Sequence, residues 1–217
     1  MSIEIECIIV CELYGDVLRH SLPINKVILN DITVATSERD LETQNLCEEN
    51  SVKSFVTNRF FESRNSPFDK EAVLNLCLKN IKKTDWVLLL DADIVLPKNI
   101  MSILNSKEFD EEIIYGANRR ICTSKEEWNQ NNNIKQYICA NETRPAGFFQ
   151  LFHSSSKILN EESPCEENHD FSNYQQESPD FVFAYKFKRY EMIKEFEVLH
   201  IGHFNAENWR GRVSPRW

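Results

Sequence analysis

A chain of 217 residues, 41% of them hydrophobic and 14 of them Phe, is long enough for one α/β domain with a full core and too short for two comfortable ones. No apolar run approaches the ~20 residues that span a bilayer, so no transmembrane segment is expected, and a net charge of −9 excludes the broad basic face that bulk nucleic acid requires. Met1 to Cys7 places acidic residues where a secretory signal places basic ones. The seven cysteines form no CxxC pair, so a cytoplasmic protein with reduced thiols is expected.

Ile3 to Cys11 reads as a first strand, and Tyr14, Val17, Leu18 and Leu22 recur at helical spacing until Pro23. A second strand falls within Lys26 to Ala35, centred on Ile32 to Ala35. Ser37 and Asp40 stand in a capping-box relation, predicting a helix from about Glu38 to Glu49. Val52 to Thr57 is a third strand. After a polar loop, Ser66-Pro67-Phe68-Asp69 marks a helix start whose stripe is Ala72, Val73, Leu76, Cys77 and Ile81. Three strand-helix units in alternation imply a parallel sheet with right-handed crossovers.

The fourth strand is the centre of the pattern. Val87 to Leu90 is an unbroken apolar run suited to burial on both faces, and it delivers Asp91-Ala92-Asp93 at its carboxyl end. Ligands of open α/β sheets bind at that edge. Paired carboxylates there call for a cation, and oxygen-only ligands favour Mn²⁺ or Mg²⁺ bound with an anionic ligand. The alternative is a solvated turn in which Asp91 caps the next helix. Ile100 to Leu104 suggests a short helix, and Ile113 to Ala117 a strand running into Asn118-Arg119-Arg120. Gly147 to His153 is a further strand, and 154–179 is an acidic, Ser- and Asn-rich loop expected to be mobile. A helix is predicted over Asp180 to Tyr190 and a last strand over Phe196 to Ile201. Gly202 to Trp217 is a basic, aromatic tail. His200, on the last strand, is either a further metal ligand or a core histidine.

Several stretches, in order, resemble the A-type-fold (GT-A) glycosyltransferases of family 2, especially small bacterial and phage members. They are Val34 to Asp40 with Thr43, Phe68-Asp69-Lys70, Trp86 to Pro97, Gly147 to His153, Leu199 to Gly202, and Asn208-Trp-Arg210-Gly-Arg212. The resemblance implies a single Rossmann-like α/β domain over 1–217, its mostly parallel sheet flanked by helices. Residues 1–117 would form the nucleotide-sugar half and 118–217 the acceptor half. It implies a metal-dependent, inverting transfer from a nucleotide-sugar, most simply a UDP-sugar, to the hydroxyl of a glycan, protein or small molecule. Asp91 is then similar to the family's ribose-side aspartate, Asp93 to its metal ligand and His200 to the late histidine of the metal shell. Thr36 and Ser37 stand where the family has acidic residues touching the base, and Lys70 resembles its donor-side lysine. Arg210 and Arg212 would close over the diphosphate, unless they are a solvated tail. Asp180 matches the general base, with a helix N-cap as its alternative. Gln150 and His153 would face the acceptor. Two rivals stand beside this reading. One is a haloacid-dehalogenase-like phosphohydrolase with Asp91 as nucleophile, whose motif belongs on a first strand. The other is a nucleotide-sugar-binding module without catalysis.

Overall fold

Strands with no polar alternation are strands covered on both faces, and β1 (Ile5–Val10) and β4 (Trp86–Asp91) pair in parallel at the middle of the sheet. The computed structural model describes residues 3–62, 69–82, 85–122, 127–128, 138–140, 142–166 and 178–201. On the far side of β1 lie β2 (Asp31–Thr36) and β3 (Lys53–Val56), both parallel to it, in the order β3-β2-β1-β4. The helices α1 (Gly15–Ile28), α2 (Leu41–Glu49) and α3 (Lys70–Lys79) make the crossovers, and the short α4 (Ile100–Asn105) follows β4. Beyond β4 the sheet turns mixed. β8 (Phe149–His153) is antiparallel to β4, and β6 (Ile113–Cys122) is antiparallel to β8. β9 (Arg189–Ile201) runs parallel to β6, and the short β5 (Ile94–Val95) pairs antiparallel with β9. β7 (Ile138–Ala140) sits on β6. The parallel expectation therefore holds for the first four strands and gives way afterwards.

The sheet carries a core on each face. Cys7 and Ile9 pack with Leu18 and Leu22 of α1 and Cys47 of α2. Ile8 and Val10 pack with Val73 and Cys77 of α3 and with Phe183 of α5 (Pro179–Tyr185) on the other. Each fully buried Leu, Ile or Phe among them contributes about 1.5–3 kcal/mol. Cys7, Cys11, Cys47, Cys77, Cys122 and Cys165 are buried and serve as small apolar side chains. Among the described residues no helix is long and apolar enough to cross a membrane.

Helix boundaries depart from the sequence pattern for physical reasons. α1 continues through Pro23 to Ile28, because Pro23 is on the exposed face, where water can serve the carbonyl it leaves without a partner. The cap of α2 is Asp40, whose carboxylate accepts Thr43 N at 3.1 Å and Thr43 Oγ1 at 2.7 Å, so the cap lies three residues after the position expected at Ser37. Ser66 and Pro67 lie outside the described residues, and α3 is capped by Asp69, which accepts Ala72 N at 2.9 Å. α5 ends at Tyr185 instead of Tyr190. The following residues join the long strand β9, which pairs with the full length of β6 and bulges where Ala117 faces Ile193 and Asn118 faces Glu197. The near part of the 154–179 segment is packed, not loose. Ile158 and Cys165 are buried, and Asn75 of α3 bonds both the carbonyl (3.0 Å) and the N–H (2.8 Å) of Cys165.

Candidate active site

The parallel strands end together, and the turn after β4 carries the paired carboxylates. Asp91 caps no helix. Ala92 and Asp93 form a turn into β5, and α1 fixes it by side chains: Ser21 Oγ donates to Ala92 O at 2.5 Å, Asn25 Nδ2 donates to Ile94 O at 2.8 Å, and Asn25 Oδ1 accepts Leu96 N at 2.9 Å. Ser21 and Asn25 are fully buried, and each satisfies backbone that β5 leaves open. They are four residues apart, a polar pair within an apolar helix face, and that signal was readable in the sequence.

Three acidic side chains gather here around one lysine. Lys70 Nζ, at the start of α3, lies 2.5 Å from Asp91 Oδ1. Burial alone would lower the Lys70 pKa, but Asp91, and after it Asp180, outweigh that and hold it well above the ordinary lysine value. Asp91 is itself raised: burial raises it, Lys70 draws it back, and Asp93 and Asp180 raise it again. Glu71, the neighbour of Lys70, is buried and pushed up to about 8, by burial first and by repulsion from Asp180 second.

Asp180 sits in the first turn of α5, after the N-cap Ser178, so it is not the cap. Its carboxylate takes a 3.4 Å contact from Ser178 Oγ. Two residues of the β8 region fix its place. Gln150 Nε2 donates to the Asp180 carbonyl at 2.9 Å. Gly147 leaves the space the carboxylate fills, since a Cβ there would stand 2.1 Å from Asp180 Cγ. Lys70, Asp91, Gly147, Gln150 and Asp180 line one cleft together with apolar residues of β1, β4 and α3.

On the other side of the turn, His200 Nε2 lies 3.1 Å from Asp93 Oδ2, brought there by the Ile94–His200 register of β5 and β9. Arg119 Nη1 lies 3.0 Å from His200 Nδ1, and the Arg119 guanidinium also pairs with Glu142 at 2.9 Å and lies over the Phe148 ring. A guanidinium only donates, so Nδ1 accepts and Nε2 carries the proton shared with Asp93. Among the described residues no group of three or more metal-type ligands occurs. Asp93 and His200 instead make a two-donor set. That set fits a hard divalent cation whose remaining ligands arrive with phosphate oxygens.

The other expected residues are less central. Thr36 and Ser37 are wholly buried at the end of β2. Gln150 is likewise buried, with its amide donating to the Asp180 carbonyl. His153 is opposite Trp86, at the other end of β4, about 17 Å of strand away from Asp91. There it contacts Ser155 Oγ at 2.7 Å and packs edge-on to Trp86. Arg210 and Arg212 lie outside the described residues. Glu12, Arg39 and Glu71 also lie at the edge of the site, and nothing in the sequence pattern singled them out.

No family model matches the chain, and no curated protein matches it in sequence. Its fold has solved counterparts. Over 89% of its length it is similar, at 11% identity and a TM-score of 0.53, to a 4-diphosphocytidyl-2C-methyl-D-erythritol synthase from Anaerococcus prevotii, of which 87% is covered. Over 99% of its length it is similar, at 13% identity and a TM-score of 0.55, to GalNAc-T7 solved with UDP, GalNAc and Mn²⁺. The chain spans less than half of that protein, 45% of its length. Fold and comparisons together define an α/β domain of the GT-A, Rossmann-like kind.

Proposed function

We propose that the chain is a metal-dependent, inverting glycosyltransferase that moves a sugar from a nucleoside-diphosphate sugar to an acceptor hydroxyl. The observation that carries this reading is the convergence of Asp91, Asp180 and Lys70 on one cleft, with Asp93 and His200 paired on the other side of the same turn. Asp93 and His200 would hold Mn²⁺ or Mg²⁺, which supplies Lewis-acid stabilisation of the departing diphosphate. Ligation through His200 Nε2 requires Arg119 to release Nδ1. Asp91 would receive the ribose side of the donor, oriented by Lys70.

Asp180 is the general base. As the acceptor oxygen bonds to the anomeric carbon, its proton passes to the Asp180 carboxylate, and the carbon–oxygen bond to the diphosphate breaks with its electron pair leaving on the diphosphate. Gln150 holds the backbone of Asp180, and Gly147 leaves room for its carboxylate. A single displacement inverts the anomeric carbon. A UDP-sugar is the donor that the family resemblance implies, and the structural neighbour GalNAc-T7 was solved with UDP; the residues at the end of β2 decide whether this chain keeps that base.

A nucleotidyltransferase shares the fold, but triphosphate cradling relies on successive backbone N–H groups in a glycine-rich loop. The turn after β1, Cys11-Glu12-Leu13-Tyr14-Gly15, has one glycine and a buried carboxylate. The phosphohydrolase alternative places its nucleophile on a first strand, whereas Asp91 ends the fourth. The test is donor turnover with Mn²⁺ and NMR of the product anomer. Asp180→Asn should retain donor binding and lose transfer by about 10²–10⁴-fold. A retained anomer, or an Asp180→Asn protein close to wild type in rate, refutes the mechanism.

A further inference from the structure

The carboxyl ends of β1, β2 and β3 meet at a second cluster, beside the Asp91 turn. Glu12 follows β1, and its side chain is entirely buried, whereas that of Arg39, its partner, is 57% exposed. Glu12 Oε1 accepts Arg39 Nε at 2.8 Å, and Oε2 accepts the Ser37 N–H at 3.3 Å. The Arg39 guanidinium lies 3.9 Å above the ring of Phe61, in the turn that follows β3. Next to it the Ser37 hydroxyl is buried and has no hydrogen-bond partner among the described residues. A buried carboxylate is costly unless it is paired, and here it is spent on fixing one arginine flat against one aromatic ring.

The location gives this cluster a ligand. Neighbouring strands are about 4.8 Å apart, so the end of β2 is about 10 Å from the end of β4. That is the span of a ribose and base, so a nucleotide whose diphosphate lay at Asp91 and Asp93 would reach this cluster along the carboxyl edge of the sheet. The residues expected to meet the base, Thr36 and Ser37, are enclosed. Arg39 is the exposed polar group at that edge whose orientation is fixed.

We propose, building on the donor-site reading above, that Arg39 reads the donor's nucleobase and selects one presenting two adjacent hydrogen-bond acceptors. With Nε committed to Glu12, the Arg39 fork offers its two Nη groups, which have no acceptor among the described residues. A fork of donors matches two neighbouring acceptors, as on the O6–N7 edge of guanine or the O2–N3 edge of cytosine. Uracil presents acceptor, donor, acceptor along its edge, and adenine sets its N6 donor beside N1 and N7 while N3 stands alone, so neither satisfies both arms. An acidic base-contacting residue has the opposite polarity and accepts the uracil N–H. Exchanging it for an arginine fork reverses the preference.

The test is calorimetric titration of the full chain with GDP, CDP, UDP and ADP in the presence of Mn²⁺. GDP or CDP should bind at least about tenfold more tightly than UDP and ADP. Arg39→Lys keeps the charge and loses the planar fork, so it should bring the nucleotides to similar affinities while the melting temperature stays near that of the wild type. Tightest binding of UDP, or the same ranking in Arg39→Lys as in wild type, overturns the assignment and leaves the glycosyltransferase reading standing. Failure of every nucleotide to bind removes both.

Discussion

Gly147→Ala probes the placement of the general base without touching its chemistry. The added Cβ would fall 2.1 Å from Asp180 Cγ and 2.2 and 2.3 Å from its two carboxylate oxygens. Carbon contacts settle at about 3.5–4.0 Å, so the carboxylate must retreat by about 1.5 Å. The backbone of Asp180 cannot absorb that movement readily. Its carbonyl is held by Gln150 at 2.9 Å, and α5 is anchored by the buried Phe183 and Ala184. The side chain has to swing instead. A misplacement of about 1 Å in a catalytic group costs about 10²-fold in rate, so the turnover number should fall by at least that factor. Overpacking should cost about 1–3 kcal/mol of stability, read by urea denaturation. Donor affinity, measured by calorimetry with Mn²⁺, should be unchanged, and adding Gly147→Ala to Asp180→Asn should slow transfer little further, because both changes remove the same function. A Gly147→Ala enzyme within a few-fold of wild type, or one whose donor affinity falls in step with its rate, refutes the reasoning.

Asp93→Ala should abolish the Mn²⁺-dependent rise in melting temperature produced by a nucleoside diphosphate while the unliganded protein stays folded; an undiminished rise counts against the metal assignment. Glu71 is raised from 4.5 to about 8 in the fold, so the folded chain binds the extra proton between those values. Its contribution is therefore fully present below about pH 4.5 and is lost as pH rises through 8, a difference of about 5 kcal/mol that Glu71→Gln should remove. Urea unfolding at about pH 5 and about pH 9 measures it, with the variant the more stable protein at the higher pH. Asn75→Ala leaves the buried N–H and carbonyl of Cys165 without their partner. It should cost about 1–3 kcal/mol and speed hydrogen exchange around Cys165, with unchanged exchange as the contrary result.

The parallel half of the fold was legible because its determinants are local and repeated. Ile8, Ile9 and Val87 to Leu90 are apolar without alternation, and the helices between carry stripes at the right spacing. Where the reading failed, a distant contact outweighed a local signal. Pro23 is a helix breaker by itself, yet Asn25, two residues on, is bonded to Ile94 and Leu96 and keeps α1 helical to Ile28. Residues 189–195 carry helix formers, but the edge of β6 offered them a ladder, and pairing won over propensity. The antiparallel insertion of β8 beside β4 left no sequence mark, since a strand buried on both faces has the same composition in either direction.

The site divides along the same line. Asp91 and Asp93 were readable because two carboxylates ending an apolar strand are anomalous by themselves, and His200 because a lone imidazole interrupts an apolar run. Gln150 and His153 belong to one strand only three residues apart, and the family resemblance implied an acceptor-side place for both. Register separates them: Gln150 is opposite Leu89 and turns to Asp180, whereas His153 is opposite Trp86 at the strand's far end. Glu12 was silent for a different reason. A glutamate after a strand looks like any solvated turn residue until folding brings Arg39 and Ser37 to its two oxygens. The family that the sequence resembles has acidic positions at the end of β2, where this chain has the buried Thr36 and Ser37. The buried negative charge at this edge is Glu12, one strand over at the end of β1, where it holds the Arg39 guanidinium. The group left facing outward, Arg39, is one the position-by-position comparison had no reason to select.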